Sequence, residues 1–185
     1  MCLGQTYVRV TADESLASIK TIMTEALRDR IKDRSRSRLA ALMDSSGLLL
    51  KMETRKLESI GGKEFKLLAI TDLASNQTER GLIISSIERR TQEPYYAVLD
   101  SDEIVPCLQL MQYARDSLCG TKPSADTEVK FTARDGVCFG AYCRSNRKTW
   151  DIYFYKPTHA TEYLSDKQLS RLIEVLEEAK NNIGQ

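Results

Sequence analysis

The sequence predicts an α+β fold, an N-terminal helix followed by a duplicated β-β-β-(β)-α unit with antiparallel sheets each covered by one helix. Three observations lead to it. Residues 95–118 (YYAVLDSDEIVPCLQLMQYARDSL) and 160–183 (ATEYLSDKQLSRLIEVLEEAKNNI) align without gaps at an offset of 65. Upstream of both, the apolar period changes from helical to alternating. Turn-forming residues punctuate the alternating runs in each half.

Taken in order, Leu16, Ile19, Ile22, Met23, Ala26 and Leu27 stand at helical spacing, so an amphipathic helix begins near Ser15. It continues into RDRIKDRSRSR, residues 28–38. Three alternating runs follow, LLLKMETRKL, EFKLLAITDL and RGLIISSIER, with Gly61-Gly62 and Ser75-Asn76 at the turns. The aligned segment then supplies a short extended stretch and a helix, with Leu99 matching Leu164, Ile104 Leu169, Cys107 Leu172, Leu108 Ile173, Met111 Leu176, Ala114 Ala179 and Leu118 Ile183. Asp100 or Ser101 and Ser165 supply N-cap oxygens, acids follow in the first turn, and Arg115 and Lys180 sit near the carboxyl ends where cations suit the dipole. The second unit repeats the plan with EVKFTAR, VCFGAYCR and TWDIYFYK, and Asp135-Gly136 reads as a two-residue hairpin turn. The organisation is therefore residues 1–44 as a helical segment, 45–120 as the first unit and 121–185 as the second, the two units forming one compact domain.

The 185 residues are enough for a core without metals or disulfides. Lysines and arginines (27) nearly balance aspartates and glutamates (26), so a nucleic-acid role needs a local basic face rather than a bulk field. No apolar run reaches the roughly 20 residues of a bilayer-spanning helix. Cys2, Cys107, Cys119, Cys138 and Cys143 contain no CxxC pair, and most read as small buried hydrophobes. The opening MCLGQTYV reads equally as the end of a trimmed export signal and as a plain chain start.

Two basic surfaces are candidates for contact with single-stranded nucleic acid. One is residues 28–38, with Arg34, Arg36 and Arg38: a helix spreads its cations around the cylinder among Asp29 and Asp33, whereas an extended chain lines them on one side. The apolar Leu27, Ile31, Leu39 and Leu42 favour the helical, solvated form. The other is in the second unit. Alternation assigns Val129, Phe131, Ala133, Phe139, Ala141, Trp150, Ile152 and Phe154 to the helix-covered face, which leaves Lys130, Arg134, Tyr142, Arg144, Tyr153 and Tyr155 on the other. Cations interleaved with rings neutralise phosphates and stack bases. Tyrosines also fill the exposed faces of ordinary antiparallel sheets, and the first unit carries Lys51, Glu53, Arg55 and Lys66 without an aromatic.

Catalytic signals are sparse. His159 is the single histidine and sits in the loop-like KPTHATEY; no GxSxG, P-loop, dinucleotide, HExxH or calcium-loop motif occurs, and no cofactor or metal is implied. Asp100, Asp102 and Glu103 are explained by helix capping.

LDSDEI with its helix, then TEVKFTARDGVCFGAY, TWDIYFY and the closing LSDKQLSRLIEVLEEAK, resembles a group of uncharacterised, often exported bacterial proteins over roughly residues 45–183. The resemblance implies a shared fold and an exported or periplasmic rather than cytoplasmic location. The topology of two β-β-β-β-α units is also similar to that of the Whirly proteins and the single-stranded-DNA-binding transcriptional coactivators. The expectation is a non-catalytic binding or interaction module, with single-stranded nucleic-acid binding through the exposed sheet face as the alternative and small-molecule binding between the units as the third.

Overall fold

A computed structural model describes residues 37–44, 48–87, 94–157 and 161–183. The helix expected from Ser15, the cations Arg34 and Arg36, Cys2 and His159 lie outside the described residues. The class is α+β as expected, built from two four-stranded antiparallel sheets. The first comprises β1 (Leu50–Ile60), β2 (Lys63–Asp72), β3 (Gln77–Ile87) and β4 (Pro94–Asp100); the second comprises β5 (Thr127–Thr132), β6 (Cys138–Cys143), β7 (Asp151–Tyr155) and β8 (Glu162–Leu164). Each is a meander whose strands pair in chain order. Helix α1 is short (Arg38–Met43), α2 (Ser101–Tyr113) continues as a π-helical turn (Ala114–Leu118), and α3 covers Asp166–Ile183.

The two long helices begin in the same way. Glu103 Oε2 accepts the amide of Asp100, and three residues into α3 the Gln168 side-chain oxygen accepts the amide of Ser165. These are equivalent positions at the offset of 65. Each side chain satisfies a backbone donor that the first turn leaves without an intrahelical partner. Pro106 lies in α2 near its start, where its missing N–H costs little.

The units are related by a pseudo-twofold, and one hydrogen bond marks its axis. Gln112 Nε2 donates to Glu177 Oε1 at 2.9 Å, and these two residues are themselves equivalents at the offset of 65. A residue can touch its own mate only beside a twofold axis. The other contacts are reciprocal, as an isologous arrangement requires. The β1–β2 turn of the first unit meets the second, with Lys63 bonded to Glu162 at 2.8 Å and Gly61 lying against Gln168. The β5–β6 turn of the second unit meets the first, where Arg134 donates its amide to Glu103 at 2.8 Å and Asp135 accepts the amide of Val98 at 3.0 Å.

A sheet covered by its own helix would give two cores. The chain instead builds one. Helix α2 packs on β3 and β4 of its own unit and on β5 and β6 of the other, and α3 packs on β8 of its own and on β1 and β3 of the other. Phe65, Leu82, Ile84 and Leu99 from the first sheet, Val129, Phe131, Phe139, Ala141, Ile152 and Phe154 from the second, and the apolar stripes of both helices form a single cluster. Phe154 stands where the sheets meet, 5.7 Å from Phe139 in a stacked pair and 6.4 Å from Phe65 edge to face.

A second, smaller cluster lies on the opposite face of the first sheet. Leu39 packs there with Leu68, Ile70, Ile83 and Val98, and Leu42, Met43 and Leu50 flank it. Helix α1 therefore covers that face over β3 and β4. It can sit close because β3 has Gly81 beneath it: a Cβ at Gly81 would overlap the Leu99 carbonyl oxygen and a Leu39 methyl. Ser37 is extended (φ −44°, ψ 130°), its Oγ accepts the amide of Ala40, and the same hydroxyl donates to Asp100, so Ser37 caps α1, which starts at Arg38.

Candidate binding face of the second sheet

The cross-strand register determines which side chains share the outer face of the second sheet. Tyr142 stands between Glu128 and Asp151, Tyr155 beside Cys138, and Gly140 between Lys130 and Tyr153. Tyr163 of β8 is the cross-strand partner of Tyr153 and joins the face from the edge. The inner-face assignments agree with the pattern of alternation: Val129, Phe131, Ala133, Phe139, Ala141, Ile152 and Phe154 are buried, and Trp150 is half-buried against the core. Whereas α1 covers the outer face of the first sheet over β3 and β4, no helix covers this one among the described residues.

Lys130, Tyr142, Tyr153 and Tyr155 thus stand together, but their side chains differ in availability. Tyr153 is only 5% exposed. Its ring lies flat across Gly140, so close that a Cβ there would stand 2.5 Å from the ring's Cζ, and its hydroxyl donates to Glu128 at 2.5 Å. Glycine opposite an aromatic is a recurrent way of filling the gap the missing side chain leaves. Lys130 is ion-paired to the same glutamate at 3.4 Å. Tyr142 donates to Asp126 at 3.3 Å, and Asp126 also accepts the amide and hydroxyl of Ser145, bonds that hold its carboxyl below the usual carboxylate range. Tyr142 and Tyr155 remain half-buried, while Tyr163 is 66% exposed.

Arg134 is not on this face. Instead of the two-residue hairpin expected at Asp135-Gly136, a three-residue loop (Arg134, Asp135, Gly136) is closed by Ala133 N–H to Val137 O, and Gly136 has a positive φ of 85° while Asp135 does not. That is the common form in which a type I turn ends in a left-handed residue. The added residue carries Arg134 over to the start of α2. There its Nε bonds Asp100 Oδ2 at 3.1 Å, its guanidinium also bonds Asp102, and its amide holds Glu103. Asp100 and Glu103 are 1% and 2% exposed. Asp100 accepts in addition from Ser37 Oγ and from the amides of Arg38 and Leu39, so one carboxylate joins both helix starts to the second unit's hairpin. Arg38, the described member of the basic stretch, pairs with Glu79 and Asp102, each at 3.2 Å. The acids of LDSDEI thus assemble a structural ion network.

Arg144 is exposed, at the end of β6 in a turn that also holds Arg147 and Lys148. Arg147 reaches Asp151 at 3.8 Å. The face is therefore of mixed sign, with Glu128, Asp126 and Asp151 interleaved among the cations. Tyr163 was not among the residues selected by sequence; β8 is three residues long, too short for alternation to assign its faces.

One concavity between the units, of about 190 Å³, is lined by Glu53, Arg55, Leu67, Ala69 and Arg80 of the first sheet with Asn182 and Ile183 at the end of α3. Another, of about 330 Å³, lies between the two long helices among Gln109, Gln112, Glu177, Lys180 and Asn181. Ligand sites for drug-sized molecules are roughly 300–1,000 Å³ and mostly apolar, whereas the larger of these two is lined mainly by polar side chains. Cys107, Cys138 and Cys143 are buried free thiols and Cys119 is an exposed one. Among the described residues no helix is long and apolar enough to cross a membrane. No protein-family model matches the chain, and no curated protein matches it.

The two enclosed phenols make an alkaline prediction. Burial, reinforced by the hydrogen bond to Glu128, pushes the Tyr153 phenol up, and the hydrogen bond to Cys138 followed by burial pushes Tyr155 up to about 12. A folded pKa above the unfolded value of about 10 gives stability that is complete below pH 10 and is lost as pH rises through the folded values. Denaturation midpoints should fall above pH 10 as phenolate absorbance grows. Tyr153→Phe should make that fall shallower.

Proposed function

We propose that this chain is a non-catalytic protein-interaction module whose binding surface is the outer face of the second sheet. The observation that carries the reading is the asymmetry between the two sheets: α1 covers the outer face of the first over β3 and β4, whereas among the described residues no helix covers the equivalent face of the second, which bears Tyr142, Tyr155 and Tyr163. Tyrosines held by their neighbours offer large, rigid contact area with little entropy to lose, a property of protein-binding surfaces. Cations paired with carboxylates on the same face suit a protein partner of mixed polarity better than a polyanion.

The test is photo-crosslinking in the native host with a photoreactive residue at Tyr163, compared with one at exposed Gln109 on α2. A discrete protein adduct is expected at 163 and not at 109. Adding Tyr142→Ala and Tyr155→Ala should reduce it several-fold. Equal labelling at both positions, or none at 163, would count against the reading.

A second reading rests on a different observation. Arg144, Arg147 and Lys148 in one exposed turn beside the tyrosines form a basic edge that a single strand could follow. The resemblance to the Whirly topology read from the sequence pattern is in keeping with this, as a likeness of fold alone.

A further inference from the structure

The open edge of β1 is a second candidate surface, remote in kind from the tyrosine face. Among the described residues β1 is the first strand of its sheet and pairs only with β2. The Leu73 amide donates to Leu49 O at 3.0 Å, so Leu49 faces Leu73 as a hydrogen-bonded pair. In an antiparallel ladder such pairs alternate along the strand. With the register Lys51 to Thr71, Glu53 to Ala69 and Arg55 to Leu67, the backbone groups of Leu50, Met52 and Thr54 therefore point away from β2. This stretch contains neither proline nor glycine, and its irregularity comes later, between Lys56 and Glu58. Natural edge strands are usually blunted by such features, or by charges that repel another strand.

The charges here alternate in sign, so repulsion depends on register. Lys51 and Glu53, 56% and 60% exposed at the side chain, pair with each other along the strand at 3.0 Å, so a second β1 exchanges that pair for the same pair across the interface; Met52 on the opposite face is 51% exposed. Antiparallel pairing of β1 with a second β1 about a twofold leaves few choices. With Lys51 on the axis, lysine faces lysine. With Glu53 on the axis, glutamate faces glutamate and Lys51 faces Arg55. With Thr54 on the axis, Met52 faces Lys56, and the Arg55 needed by Glu53 is already held by Glu178 at 3.3 Å. With Met52 on the axis, Lys51 faces Glu53 twice, Leu50 faces Thr54 twice and the two methionines meet. Opposite charges directly across strands stabilise pairing and like charges oppose it.

We infer that β1 is a self-association edge, joining two copies of this chain antiparallel about Met52 so that their first sheets become one eight-stranded sheet. The interface is isologous and closes at a dimer. Exposed Leu49 (69%) and Leu73 (49%) flank it at the same end of the strand.

Sedimentation equilibrium of the full chain, with a charge-swap series, tests this. The wild type is expected to dimerise reversibly. Lys51→Glu and Glu53→Lys, each of which places two like-charged pairs across the interface, should each weaken the dimer by about tenfold. The double variant carrying both restores two attractive pairs and should return to wild-type affinity. Both side chains are exposed, so unchanged circular dichroism and thermal midpoints will separate loss of association from loss of folding. A wild type that stays monomeric at all concentrations, or a double variant as weak as the singles, would overturn the proposal. None of these residues belongs to the tyrosine face, so crosslinking at Tyr163 reads out independently.

Discussion

Replacing Arg134 by alanine is expected to cost about 3–5 kcal/mol of folding stability, because it leaves buried carboxylates without their cation. The side chain of Arg134 is 10% exposed and bonds Asp100, which is 1% exposed, at 3.1 Å. Its Nε lies 3.6 Å from Glu103. Asp100 would still accept from Ser37 and from the amides of Arg38 and Leu39, but its charge would have lost the guanidinium that faces it. Urea denaturation followed by circular dichroism measures the loss. Arg134→Met, which keeps much of the side-chain volume, should be nearly as damaging. Adding Glu103→Gln to it should deepen the deficit, because the two carboxylate oxygens of Glu103 accept the amides of Asp100 and Arg134 and a side-chain NH2 would face one of those donors. A loss below about 1 kcal/mol would mean that water already screens the cluster, as it does an exposed ion pair.

The second large effect is at Phe154. Its ring stacks on Phe139, meets Phe65 of the first sheet edge to face, and carries Lys63 Nζ at 5.3 Å from its centroid. Truncation to alanine should cost about 3–5 kcal/mol, the usual range for an aromatic deleted from a core. The manner of unfolding says more than the size of the loss. Because both sheets and both helices share one cluster, the fluorescence of Trp150 in the second unit and the hydrogen exchange of β2 and β3 amides in the first should shift together. A first sheet that kept its wild-type midpoint while Trp150 reported unfolding would show two separable units.

The fold was legible in the sequence because its signals are local and occur twice. The offset of 65 located both long helices and their caps, and period-two runs located the strands. What was not legible depends on contacts between units. Alternation carried to Arg134 places it on the outer face, but β5 ends at Thr132 and the three-residue loop redirects the side chain to Asp100. Tyr153 does lie on the predicted face; that it folds flat is decided by Gly140 on the neighbouring strand, and only the register makes them partners. Tyr163 enters the face through its pairing with Tyr153, which a three-residue strand gives no period to announce. The cover on the first sheet is a single turn and a half of helix at Arg38–Met43, whose place is set by Gly81 and Asp100 far along the chain. Long-range partners of this kind are invisible to any reading by neighbours.

We propose that the outer face of the second sheet, where Lys130 pairs with Glu128 and Arg147 with Asp151, binds a protein partner. Fluorescence anisotropy of a labelled single-stranded oligonucleotide, titrated with the full chain across a salt series, tests it most directly. Each phosphate neutralised on a single strand adds about 0.7 to the slope of log affinity against log salt. Weak binding with a slope of about 1 or less and no saturation at physiological salt is expected. Tight binding with a slope of about 3 or more, abolished by Arg144→Ala with Arg147→Ala and weakened by Tyr163→Ala, would contradict it and establish the face as a single-strand platform.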